Sequence, residues 1–227
     1  MFGKDSRMDP THGNGQRPAD ARTLLGTVTA ADSEKGVTVH ITRGQPVELL
    51  RQGQFVVIDG QHVRFFGTIS GFRLAAADPA VGQDPPDIDS VLVRETLHRS
   101  TTYAEATVRP SLELTQVGDV PPSEAGGDGL KPARTIPGHF ARVFTAGARD
   151  FQTVFGSEER GKHFAVGRPR DMEHVQVCLD LARLVERSNG IFGRSGTGKS
   201  FLARLVLCGL VKTQACVNLV FDMHTEY

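Results

Sequence analysis

The residues in this chain best suited to chemistry are eight in a row: Gly193-Arg194-Ser195-Gly196-Thr197-Gly198-Lys199-Ser200. They satisfy the pattern G-x-x-x-x-G-K-[ST] in full. Glycines at these places let the backbone curl, so that successive N–H groups point inward at phosphate oxygens. A helix beginning near Lys199 would add the positive end of its dipole. The Lys199 ammonium would reach the β- and γ-phosphates, and the Ser200 hydroxyl would be a ligand of Mg²⁺. The other loop positions, Arg194, Ser195 and Thr197, supply backbone amides to the same cradle. The pattern specifies a nucleotide phosphate, but neither the base nor the work that hydrolysis drives.

Such a loop needs a strand before it and a helix after it. Ile191-Phe192 is an apolar stub leading in. Lys199 to Lys212 has good helix formers, is apolar on nearly every face and is basic at its end, which predicts a helix. Ala215 to Phe221 is nearly continuously apolar, as expected of a parallel strand buried on both faces. Upstream, Val175 to Leu181 alternates like a strand, although Val175, Leu179, Ala182 and Val185 would also suit a short helix.

The first half of the chain has a different grammar. Residues 1–21 lack hydrophobic periodicity and read as a disordered tail. Short alternating runs follow at Leu24–Thr29, Gly36–Ile41, Gln54–Ile58, His62–Ile69, Val91–Arg94 and Tyr103–Val108, with the hairpin signal Asp59-Gly60 between the third and fourth. No helical pattern intervenes, so a small barrel or sandwich over about 22–117 is expected. Residues 78–89, rich in Asp and Pro, read as an acidic solvated loop. Residues 118–134 hold three prolines and four glycines and read as a linker. The remainder, 135–227, carries the phosphate loop. The fold class expected is therefore β plus α/β: a β-barrel, then the start of a P-loop domain.

Composition sets bounds on the function. The 227 residues are 39% hydrophobic and 23% charged, with 26 Lys+Arg against 26 Asp+Glu. This excludes collagen-like, mucin-like and wholly disordered chains. It also excludes a globally basic nucleic-acid coat, leaving local basic surface possible. The stretch Arg142–Arg170 is mildly basic but interspersed with carboxylates. No run reaches the ~18 apolar residues of a membrane span, and the N-terminus has no signal-peptide core. Three cysteines, Cys178, Cys208 and Cys216, are an odd number in apolar surroundings, which predicts buried free thiols and a reducing, cytoplasmic location. No C-x-x-C supports zinc, no G-x-S-x-G supports a hydrolase, and the His224-x-Glu226 pair lacks the P-C-x-x-C of zinc deaminases.

A second marker lies at Leu219–Tyr227, where an apolar run ends at Asp222 and continues through His224, Thr225, Glu226 and Tyr227. Together with Gly193–Ser200 and the upstream β module, it resembles the N-terminal part of the HerA-like ATPases, within the HerA/FtsK group of hexameric DNA motors. Those proteins open with a β-barrel shared with rotary ATP synthase subunits. A RecA-like domain follows, with a G-x-[ST]-G-x-G-K-S loop and then a strand ending D-x-H-x-E-Y. The resemblance covers most of residues 22–227 and is specific at the two C-terminal motifs; Thr225 departs from the family's usual Gly. It implies ATP and Mg²⁺ as cofactors, with Asp222 at the metal and Glu226 catalytic beside Lys199. It also implies a homo-hexameric ring translocating double-stranded DNA, off the membrane, with a partner nuclease of the NurA type, in end processing, repair or anti-phage defence.

Only residues 201–227 follow Ser200, and no apolar strand ending Asp-Glu is among them. The chain therefore reads as a fragment that binds ATP without turning it over. Two alternatives carry different expectations. One is a non-catalytic barrel module for assembly or interaction, with a vestigial nucleotide site. The other is a small P-loop kinase, in which Val220-Phe221-Asp222 would be the acidic strand.

Overall fold

The computed structural model describes residues 22–77, 102–115, 129–158, 163–169 and 172–222. The alternating runs fold into antiparallel strands β1 (Leu24–Asp32), β2 (Gly36–Ile41), β3 (Phe55–Asp59), β4 (Val63–Ala76) and β5 (Thr102–Thr115), followed by β6 (Leu130–Pro132) and β7 (Arg142–Thr145). The order β2-β1-β7-β3-β4-β5 closes on itself, because β5 also pairs with β2 at Val37↔Val108 through His40↔Glu105. The result is a closed six-stranded barrel, with β6 added along the far half of β5. Closure removes the exposed sheet edges that would otherwise seek a partner strand.

The period-two pattern sorts side chains to the two faces of the wall. Val39, Val56, Ile58, Phe65, Ile69 and Val108 fill the interior. Their neighbours Val57 and Phe66 point outward, where helix α1 (Ala148–Phe155) covers them with Phe151. Phe55 lies between, 5.0 Å from the Phe151 ring and 6.3 Å from that of Phe66. The barrel thus has an inner core and a second core under α1. An ion-pair network pins that helix. Arg22 donates to both Asp150 carboxylate oxygens and to Asp59 Oδ2 (3.2 Å), while Arg64 Nε donates to Asp59 Oδ1 at 2.6 Å. Asp150, 2% exposed, also accepts the Gly147 N–H at 2.8 Å, which caps the helix.

Two boundaries differ from the sequence reading. The barrel does not finish at residue 117: its sixth stave is β7, beyond the Pro/Gly-rich stretch. Four residues are too short for a periodic signal, yet Val143 faces the core and is fully buried. Likewise β6 occupies the end of the span read as linker. The expected tail, the 78–89 loop and the Val91–Arg94 strand lie outside the described residues.

The C-terminal part is thinner. A hairpin of β8 (His163–Gly167) and β9 (Val177–Asp180) runs directly into helix α2 (Leu181–Val185), so both patterns seen at Val175–Val185 are realised in succession. Asp180 caps α2 by accepting the Arg183 N–H. Helix α3 (Lys199–Thr213) lies on the hairpin through Gly209, where a β-carbon would come within 2.6 Å of both Leu181 and Phe164. Lys212 Nζ sits over the Phe164 ring at 5.6 Å. A RecA-like sheet is not formed by the described residues.

Candidate functional site

Gly193 to Ser200 span the end of a loop and the start of a helix. Residues 191–198 form an exposed, irregular segment, and α3 begins at Lys199. Gly196 (φ +77°) and Gly198 (φ +86°) take the left-handed conformation that side chains disfavour. Nothing lies within 4 Å of where their β-carbons would be, so the backbone is open to approach from outside. At Gly193 a β-carbon would come to 2.8 Å from Thr197 Oγ1, so that hydroxyl would have to give way. Glycine is thus needed for conformation at two positions and for space at a third.

The loop is folded over one acceptor. The Arg194 carbonyl receives Lys199 Nζ at 2.7 Å, Thr197 Oγ1 at 2.7 Å and, at 3.4 Å, the Thr197 N–H. A phosphate oxygen is a stronger acceptor than a carbonyl, so an anion entering the loop can take the ammonium over. The role of Arg194 O as the lysine's resting site was not visible in the sequence, because a main-chain acceptor leaves no mark on residue type. Ser200 is the second residue of α3 and half-buried. The start of the helix, the open glycines and Lys199 together suit a polyphosphate.

The second marker is only partly described. Asp222 is exposed at the end of an irregular run; Glu226, with His224, Thr225 and Tyr227, lies outside the described residues. The buried parallel strand expected at Ala215–Phe221 is not formed. Val217 is 99% exposed, and Leu219 and Phe221 are also open to solvent. A parallel strand needs neighbours for its hydrogen bonds and helices over both faces; among the described residues the run has neither. The expectation of buried thiols holds for Cys178 alone, since Cys208 and Cys216 are exposed. Burial, then the nearby Glu158 carboxylate, pushes the Cys178 thiol up. Among the described residues no cluster of three metal-ligating side chains occurs, and no helix is long and apolar enough to cross a membrane.

Known proteins agree with the motif reading. Residues 164–227 match the family described as the central domain of helicase HerA. A probable helicase of Methanocaldococcus jannaschii is 36% identical over 98 residues, covering 43% of this chain. The chain spans only 18% of that relative's length.

Proposed function

We propose, on the premise that this chain is HerA-like over its C-terminal part, that it is the nucleotide-binding front portion of an ATP-dependent helicase-type motor. The observation that carries the proposal is the loop itself: left-handed Gly196 and Gly198 lead into a helix whose first residue is the lysine. In this reading the amides of 194–198 and the dipole of α3 hold the β- and γ-phosphates of ATP. Lys199 would exchange the Arg194 carbonyl for the γ-phosphate, Ser200 and Asp222 would hold Mg²⁺, and Glu226 would order water. The bound Mg²⁺ would neutralise charge developing on the transferred phosphoryl group. The whole protein would work as a homo-hexamer on double-stranded DNA, with a partner nuclease.

The exposure of residues 191–198 supports a second element of the proposal: the chain binds ATP but does not turn it over by itself. Electrostatic stabilisation of a transition state is strong only where water is excluded, and this loop is wet on its outer face. A fluorescent ATP analogue with Mg²⁺ tests the reading. Binding should occur and weaken about ten-fold or more on Lys199→Ala. Unchanged affinity in that variant would remove the assignment, and multiple ATP turnovers by the purified chain would remove the non-catalytic element. The complete, closed barrel favours a second reading, an interaction module with a vestigial nucleotide site, for which no nucleotide binding is expected at all.

A further inference from the structure

Beyond α3 the chain carries a strand-forming segment with no sheet to join. From Thr213 to Phe221 it has no charged residue, no glycine and no proline. Short uncharged runs rich in Val and Phe are the ones that pair most readily with a further strand. Val217, Leu219, Val220 and Phe221 make no hydrogen bond among the described residues. Their main-chain groups are an open template for pairing, of the kind that closure removes from the barrel wall.

Exposure along the segment follows a period of two. Val217, Leu219 and Phe221 are 99%, 80% and 87% exposed, whereas Val220 is 42% exposed. Cys216 and Asn218 share the other side: the Cys216 thiol donates to Asn218 Oδ1 at 3.5 Å, and Asn218 Nδ2 donates to the Cys216 carbonyl at 3.3 Å. One face is therefore Ala215, Val217, Leu219 and Phe221, apolar throughout.

This segment is complementary to itself. Laid antiparallel about Asn218, two copies set Ala215 opposite Phe221, Val217 opposite Leu219 and Cys216 opposite Val220. The smallest apolar side chain then faces the largest, and Asp222 faces the uncharged Gln214, so no like charges meet. Helix α3 ends at Thr213, so the two helices leave from opposite ends of the pair, about 20 Å apart. A parallel, in-register pair fails on two counts. It sets Asp222 against Asp222. It also spaces the two copies of α3 at the ~4.8 Å of paired strands, where packed helices need about 8–10 Å.

We infer that Ala215–Phe221 joins two copies of this chain as an antiparallel, two-fold strand pair centred on Asn218. So short a pair buries less than a standard interface, and the dimer is weak and concentration-dependent. The inference does not rest on the nucleotide reading, since none of these residues belongs to the phosphate loop. Loss of ATP binding with the dimer retained would count against that reading alone.

Sedimentation equilibrium of the full chain over a concentration series tests the pairing. The mass should rise from 24.6 kDa toward twice that value. Val217→Lys should weaken the association more than about ten-fold, because two ammonium groups would then stand close together near the centre of the pair. The position is fully exposed, so the thermal midpoint should not move. Register is read separately, by mild oxidation with oxidised glutathione in a Cys208→Ser/Cys216→Ser background. Asn218→Cys sits opposite its own copy and should cross-link into a dimer, whereas Phe221→Cys should not. A chain that stays monomeric at every concentration would overturn the inference. So would a dimer that survives Val217→Lys, or a mass that grows past two copies. Equal cross-linking of Phe221→Cys and Asn218→Cys would overturn the antiparallel register.

Discussion

The barrel and the C-terminal segment dispose of their apolar side chains in opposite ways. In the barrel, strand closure gives each inward Val, Ile or Phe a facing partner, and the residues left on the outside of β3 and β4 are covered by α1. In the C-terminal part, only Gly209 and Leu210 of α3 are buried, while Phe192, Phe201, Val211, Val217 and Phe221 face solvent. The loop nevertheless has its glycine geometry and its lysine in place. This loop can thus be shaped by local backbone preference and one helix start. The core that would hold it rigid is a separate requirement.

This contrast can be broken by equivalent truncations on the two sides. Ile58→Ala removes a fully buried side chain from the barrel interior and should cost about 3–4 kcal/mol by denaturant unfolding. Phe201→Ala, on the exposed face of α3, should change stability by less than about 0.5 kcal/mol. Comparable losses for the two would mean that α3 is packed as tightly as the barrel.

Next in size is the joint between the barrel and α1. Asp150→Ala strips the acceptor from Arg22 and the cap from Gly147. Removing one partner of a buried pair costs about 3–5 kcal/mol, but Arg22 is a quarter exposed and can be rehydrated. A loss of about 2–3 kcal/mol is expected. A double-mutant cycle with Arg22→Ala should return a coupling of about 1 kcal/mol or more. A coupling near zero would reduce the network to a helix cap.

Smaller in global terms, Gly209→Val sharpens the comparison from the other side. Its side chain would drive into Leu181 and Phe164. In a tight core such overpacking costs about 1–3 kcal/mol. Here α3 should lift from the hairpin instead, because little else holds it. Hydrogen exchange of residues 199–213 should accelerate while the barrel's unfolding midpoint stays fixed. A lowered barrel midpoint would show that the two regions fold as one unit.

The same contrast explains what was legible in the sequence. Strands β1, β2 and β3 were readable because each is long enough to alternate and is bounded by turn residues such as Asp59-Gly60. Helix α3 was readable from its start at Lys199. By contrast, β6 and β7 are three and four residues long, and their places are set by pairing with distant strands rather than by local pattern. Helix α1 was missed because its apolar stripe of Phe151, Val154 and Phe155 is short and its cap is a glycine. At Ala215–Phe221 the pattern was read correctly as apolar, but apolarity specifies burial only when a neighbour is present to provide it.

The smallest expected effect concerns two surface carboxylates of the barrel, Glu113 and Asp32, and depends on pH. Glu113 Oε2 accepts the Thr135 hydroxyl at 2.9 Å and the N–H groups of Arg134 and Thr135, so one carboxylate holds the start of the β6–β7 segment. The Thr135 hydroxyl first, then the Arg134 N–H, keep the Glu113 carboxyl below its ordinary value of 4.5. In the β1–β2 turn, the Lys35 N–H first, then that of Glu34, keep Asp32 below 3.8. A depressed folded value stabilises the charged form. The contribution is fully present above the ordinary value and is lost as pH falls from there through the lowered one. Acidification below 4.5 should therefore loosen the Arg134 and Thr135 amides first and the Glu34 and Lys35 amides at still lower pH, measured by hydrogen exchange against the amides of β3 as a rigid reference. Glu113→Gln should abolish the first step and leave the second. Simultaneous loosening of both segments and β3 would mean that acid unfolds the barrel as a whole, and that these surface segments are as firmly built as the core beneath them.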